Sequence, residues 1–131
     1  MLSVRKEILP YDRETVWAVI TRRRDTGWRS DLDRVEWEDD THFVEYTKGG
    51  TATRFTVTAS HPPRHWALAL ENPHLTGRWT GMLEPVPEGT RVIFAESVFP
   101  RRCWLRPLVG LYLKRQQKRY FADLRRCLAE Q

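Results

Sequence analysis

The stretch Leu105–Glu130, LRPLVGLYLKRQQKRYFADLRRCLAE, has a period that decides the fold class. Turned at about 100° per residue, Val109, Leu113, Gln116, Tyr120, Leu124 and Cys127 fall within one stripe roughly 80° wide, with Leu105 and Tyr112 at its edge. This spacing predicts one long amphipathic helix with its stripe turned to a partner surface. Gln116 is anomalous among those apolar neighbours. A buried amide without partners costs about 1–3 kcal/mol, so it must meet a polar group, a water or a ligand. The first turns are apolar nearly all round, with Leu108, Leu111 and Leu113 beside Val109 and Tyr112, rimmed by Arg106, Lys114 and Arg115. Such a turn packs against the preceding loop, forms a dimer contact, edges a cavity mouth or touches lipid.

The surface that this helix covers is read from the residues before it. Leu2–Leu9 is strand-like and stopped by Pro10. Asp12 can cap a helix over Arg13–Arg24, where Glu14 suits the first turn and Val16, Val19 and Ile20 share one side, with Gly27 as its stop. Asp25–Asp33 reads as a helical turn plus loop. The period then changes to two. Val35 and Trp37 alternate with Glu36 and Glu38, and the strands His42–Lys48, Thr53–Ser60, Trp66–Leu70, Leu75–Glu84 and Thr90–Phe99 follow. Asp39-Asp40, Gly49-Gly50, Pro62-Pro63, Asn72-Pro73 and Pro87-Glu88-Gly89 separate them. An antiparallel sheet of about seven strands has one face to bury, and the terminal helix can bury it. The fold class is α+β, residues 1–131 forming one domain without repeats or linkers.

Charge is divided unevenly along the 131 residues. Residues 101–131 hold nine Lys/Arg against Asp123 and Glu130, whereas the first hundred hold thirteen basic and fifteen acidic side chains. The basic stripe belongs to the outer face of the helix; it is a solvated face or a docking surface for an anionic partner. Nucleic acid is not expected, because no docking motif accompanies the charge. Peripheral membrane contact is one reading of the same stripe, and the expected assembly is a monomer or weak homodimer. Cys103 and Cys127 flank the helix and so lie tens of ångströms apart at about 1.5 Å per residue, beyond the about 7 Å that a disulfide allows. Two free thiols and the absence of an apolar leader at Met1–Pro10 make a cytoplasmic protein the expectation. The apolar run Leu108–Leu113 is too short to span a bilayer.

The order strand, helix, short link, six strands, long helix resembles the helix-grip fold. Pro10–Trp17 (PYDRETVW) is similar to the approach to the first helix in the START-like, or SRPBCC, superfamily of polyketide cyclases and dehydratases, lipid-transfer-like proteins and Bet v 1 allergens. Trp79 followed by Glu84–Val92 (EPVPEGTRV) resembles its penultimate hairpin, and Tyr120–Glu130 its final helix ending. The resemblance covers nearly the whole chain and implies a curved sheet wrapped around the last helix, with a pocket for a hydrophobic small molecule such as a lipid, polyketide or isoprenoid. It implies no cofactor. On strand parity the expected lining is Trp37, Phe55, Val57, Trp66, Leu68 and Phe94, with Leu113, Gln116 and Tyr120 from the helix. The same aromatic residues are bulky enough to plug the space.

Chemistry-bearing motifs are few. His61 and His65 have metal-like spacing, but Pro62-Pro63 between them forbids an aligning helix, so no metal site is expected. The acidic group Asp31, Asp33, Glu36, Glu38, Asp39 and Asp40 matches no calcium loop and reads as a solvated strand-and-turn face. Glu96 shares a face with Val92 and Phe94 and is a candidate acid or base if dry. Tyr46 and Arg78 are further catalytic candidates of ambiguous parity, and a Glu96–Arg78 pair across neighbouring strands is the structural alternative. Cyclising and dehydrating members of the superfamily steer an enolate with pocket acids, Tyr and Arg. No such cluster carries over here residue by residue, so binding is expected ahead of a cyclase- or dehydratase-type lyase or isomerase activity.

Overall fold

Asp12 starts the first helix: its carboxylate accepts the Thr15 N–H at 2.8 Å. The helix, α1 (Arg13–Ile20), follows the strand β1 (Leu2–Leu9) and buries Val16, Val19 and Ile20. It ends earlier than the basic run Arg22–Arg24 led us to expect. Thr21 turns both its N–H and its hydroxyl onto the Trp17 carbonyl, and Asp25 then adopts a left-handed conformation with φ 52°. Gly27 lies within a short 3-10 turn, Thr26–Trp28, and is not the helix stop.

Six strands succeed it: β2 (Leu32–Trp37), β3 (His42–Thr47), β4 (Ala52–His61), β5 (His65–Glu71), β6 (Leu75–Val86) and β7 (Gly89–Pro100). In this computed structural model, which describes residues 1–131, they form one antiparallel sheet in the order β1-β7-β6-β5-β4-β3-β2. Register breaks at Leu32/Arg34 and at Val57/Ala59 add local twist to the β2–β5 half, as bulges do. Gly89 closes the last hairpin at φ +140°, where a Cβ would collide with the Leu9 carbonyl. His61 and His65 pair across the β4–β5 hairpin with rings stacked 5.9 Å apart.

The sheet's inner face carries Trp66, Leu68 and Leu70 on β5, Trp79 and Leu83 on β6, and Val92, Phe94 and Val98 on β7. The 24-residue helix α2 (Arg106–Ala129) packs across that face and buries Val109, Leu113, Phe121, Leu124, Cys127 and Leu128. At about 25 cal/mol per Å² of apolar surface, this docking is the main stabilising contribution of the helix. Two apolar clusters result. A large one joins Leu9, α1, Leu83 and Phe121–Leu128, and a small one joins Val98, Val109 and Leu113.

The buried stripe of α2 is rotated from the expected one. Gln117 is the fully enclosed amide, 4% exposed, and Gln116 lies to its side. Gln117 is satisfied by one residue of β1: the Ser3 hydroxyl donates to its Oε1 at 2.8 Å, and its Nε2 donates to the Ser3 carbonyl at 2.9 Å. Replacing Gln117 by Leu strands both Ser3 groups in the interior and is expected to lower the unfolding free energy by about 2–3 kcal/mol in urea titrations. Gln116→Leu should cost less than half as much. Equal losses would show that the inner stripe is centred elsewhere.

Candidate functional site

Aromatic side chains on alternate strand positions leave a hollow between sheet and helix. Trp37 on β2 stacks on Phe43 of β3 at 4.4 Å, Phe43 on Phe55 of β4 at 4.9 Å, and Trp66 meets Trp79 edge-on at 5.9 Å. Trp79 then leans on Phe94 at 5.0 Å, and Phe94 meets Tyr120 of α2 at 4.9 Å. Gly81 permits this wall, because a Cβ there would sit 2.8 Å from the Trp79 ring and 3.3 Å from Phe94. The space between them is a partly open cavity of about 130 Å³, bordered by 28 residues of which 17 are hydrophobic. Its size suits a single ring, whereas pockets for drug-sized molecules run to about 300–1,000 Å³. The tryptophans therefore occupy much of the space themselves.

Of the residues expected to line it, Trp37, Phe55, Trp66, Leu68, Phe94, Leu113, Gln116 and Tyr120 do border the cavity. Val57 does not; it lies beside the β4 bulge and packs against the core. Two catalytic candidates are on the wrong face. Gly77, Trp79, Gly81 and Leu83 of β6 point inward, so Arg78 is exposed outside the sheet and no Glu96–Arg78 pair forms. Tyr46 alternates with the inward Phe43 and Glu45 side of β3; its hydroxyl donates to Glu36 at 3.2 Å, with Arg34 lying 3.8 Å over its ring. Glu96 borders the cavity and forms no hydrogen bond or ion pair within the protein.

A polar cluster that parity did not reveal faces Glu96's side of the cavity. Arg29, in the loop before β2, donates two hydrogen bonds to Asp31 at 3.1 and 3.0 Å and one to Glu45 at 3.3 Å. Its guanidinium lies 4.7 Å from the centre of the Tyr120 ring. Gln116 donates at 2.6 Å to Asp31 Oδ2, an oxygen that also accepts from Arg29, so the helix amide helps to position this carboxylate. A neighbouring tie fixes the same loop: Asp123 accepts from the Ser30 N–H at 2.8 Å and from its hydroxyl at 2.9 Å. Asp31 thus leaves the solvated acidic face to which its sequence neighbours belong. Glu45 shares the inward face of β3 with Phe43, a face that alternation in HFVEYT leaves undecided, and Arg29 carries no periodic signal.

One cation serves three carboxylates here. Burial opposes the charge of Arg29, but Glu45 and Asp31 beside it hold the guanidinium above its ordinary value. Burial pushes Asp31 up, and Arg29 outweighs it, so Asp31 is held below the usual carboxylate range. Glu45 is raised, because its burial exceeds what Arg29 returns. Glu96 has no partner. Burial, with the charge of Glu45 added, pushes it up to about 7 against the opposing pull of Arg29. Tyr120 is raised chiefly by burial. The buried indole N–H of Trp37 also lacks a partner in the protein. The cavity therefore has an aromatic wall, an orphaned indole N–H and a half-buried carboxyl without a partner in the protein.

The displaced Glu96 makes a stability prediction with a definite sign. Its proton is held more tightly folded than unfolded, so the carboxyl lowers stability progressively as pH rises from about 4.5 to about 7. Glu96→Gln should stabilise the protein by about 1–3 kcal/mol above pH 7, since each unit of displacement is worth about 1.4 kcal/mol, and should match the parent at pH 4. Thermal or urea unfolding of the pair across pH measures this. A constant difference at every pH would show that Glu96 ionises normally.

A family model described as polyketide cyclase / dehydrase and lipid transport matches residues 1–130. Among curated proteins, none matches. Solved structures of the same fold include a START superfamily protein from Mycobacterium smegmatis, with TM-score 0.86 at 10% identity over 98% of this chain and 97% of that chain. A protein from Mesorhizobium loti gives 0.84 at 20% identity over 99% and 98%. A conserved protein from Geobacillus kaustophilus gives 0.81 at 14% over 98% and 94%. At these identities the likeness is one of fold, and it bears out the helix-grip reading. With its sheet gripping a terminal helix and its family model spanning the chain, this protein belongs to the polyketide cyclase/dehydrase and lipid transport family.

Proposed function

We propose that the cavity between sheet and α2 binds a hydrophobic small molecule that carries one neutral polar group. The observation that supports this is Glu96: an unpartnered carboxyl, neutral for much of the time near pH 7, set in an aromatic wall. As the acid it donates one hydrogen bond, which suits a carbonyl or hydroxyl oxygen of the ligand. The apolar remainder lies against Trp66, Trp79 and Phe94, and displaces little water that the protein needs. Asp31 and Glu45 already fill the fork of Arg29, so a fatty carboxylate placed beside Glu96 meets no free guanidinium there. Binding a ligand larger than one ring requires the aromatic side chains to move apart.

A thermal-shift screen with quinone, flat polycyclic ketone, sterol-like and fatty-acid probes tests the proposal. At about one hundred times Kd, a ligand that binds only the folded state adds about 2.7 kcal/mol, which raises Tm by several degrees. Neutral oxygen-bearing probes should give that shift and fatty acids should not. A flat response to all probes, or a preference for the carboxylates, would contradict it.

Glu96 also favours a second reading, a dehydratase-type reaction. A carboxyl with a pKa near 7 can remove the proton α to a ligand carbonyl and return it to a departing β-hydroxyl, leaving an enone and water. On this reading Glu96→Gln abolishes turnover of a β-hydroxy ketone and leaves its affinity within about twofold. Turnover that survives the substitution would exclude Glu96 as the base, and no turnover by the parent protein would leave binding as the whole function.

A further inference from the structure

The first turns of α2 and the turn before them present a second surface, outside the cavity. Trp104, Leu108 and Leu111 are 64%, 61% and 54% exposed, and Tyr112 is half-exposed beside them. Leu108, Leu111 and Tyr112 follow the i, i+3, i+4 spacing of one helix face, and Arg115, Lys118 and Arg119 continue that face. Between Glu96 and Asp123 the chain has no acidic residue but seven basic ones: Arg101, Arg102, Arg106, Lys114, Arg115, Lys118 and Arg119. All seven are exposed, and none pairs with a carboxylate.

We propose that this face docks the protein onto an anionic lipid bilayer. Its two properties call for one partner that is negative at its surface and apolar beneath it. Trp and Leu side chains rimmed by Lys and Arg match that layering: the rings and aliphatic chains enter the interface while the basic heads remain with the headgroups. Attraction of the basic side chains to an anionic leaflet and withdrawal of the apolar ones from water then act together. A second copy of the chain is a poorer occupant, because it would set seven cations against seven. A nucleic acid would meet the charge but give Leu108 and Leu111 nothing to bury against.

The position of the patch links it to the cavity. Tyr112 belongs to both: it is half-exposed on the apolar face and borders the hollow lined by Glu96, Leu113 and Gln116. Docking through this face brings the cavity rim to the lipid surface, where an apolar ligand can pass without crossing bulk water. That passage rests on the cavity reading; the docking itself does not.

The test is co-sedimentation of the full chain with vesicles of phosphatidylcholine alone and of phosphatidylcholine with an equal part of phosphatidylglycerol. Binding should require the anionic lipid and fall about tenfold or more when salt is raised from low to high. Leu108→Asp, an exposed change that leaves the melting temperature unaltered, should weaken it by a similar factor. Brominated lipid should quench the parent's tryptophan emission and quench Trp104→Phe much less. Failure to sediment with anionic vesicles, indifference to salt, or quenching that survives Trp104→Phe would each overturn the proposal. So would a concentration-dependent dimer that shields Trp104 and binds no vesicle. A probe-induced rise in Tm without vesicle binding would sink the docking face and leave the cavity reading intact.

Discussion

Arg29 carries a charge into the space between sheet and helix, and the surrounding residues are arranged to keep it there. Its fork is filled by Asp31 and Glu45, its face is covered by Tyr120, and the Asp31 Oδ2 that it meets also accepts from Gln116. Removing one partner of such a buried set leaves an uncompensated charge, which costs several times what an exposed pair is worth. The cluster also has a mechanical consequence. It ties the loop before β2 to the middle of α2, and Asp123 repeats the tie one residue along at Ser30. One side of the hollow is thereby fixed by polar bonds, and the other by stacked rings.

The charge balance of that cluster accounts for Glu96. A single guanidinium already shared by two carboxylates cannot neutralise a third that lacks a hydrogen bond, so protonation becomes the less costly state near neutral pH. An apolar residue at the same place would be more stable, and an acid is retained at a cost. Retention of a strained polar group in a cavity is the pattern expected of a binding or reacting group. The small free volume is consistent with a site whose walls yield to the ligand, since ring stacks between neighbouring strands can shift without breaking the backbone ladder.

Much of the fold is legible in the sequence, because most strands state their inner face by alternation. Trp66, Leu68 and Leu70 on β5 and Val92 and Phe94 on β7 settle their own orientation, and that of Glu96 with them. The long helix is legible in extent but not in phase: the rotation count centres the stripe on Gln116, whereas Phe121 and Leu128 turn the buried face towards Gln117, which Ser3 satisfies. The Arg29 cluster was hidden for a different reason. Its members come from a loop, a strand end, β3 and α2, and charged residues taken singly are most economically read as solvated. The faces of Arg78 and Tyr46 stay ambiguous in the sequence because their strands, read alone, alternate polar and apolar residues on both faces.

The account turns on a carboxyl that is neutral near pH 7 inside the sheet–helix cavity. Carbon-detected NMR titration of the Glu96 side-chain carboxyl in the unliganded protein measures this directly. A midpoint near 7 is the predicted result. A midpoint in the ordinary glutamate range, near 4.5, would mean that the carboxyl is solvated or paired, and the cavity would then lose its proton donor.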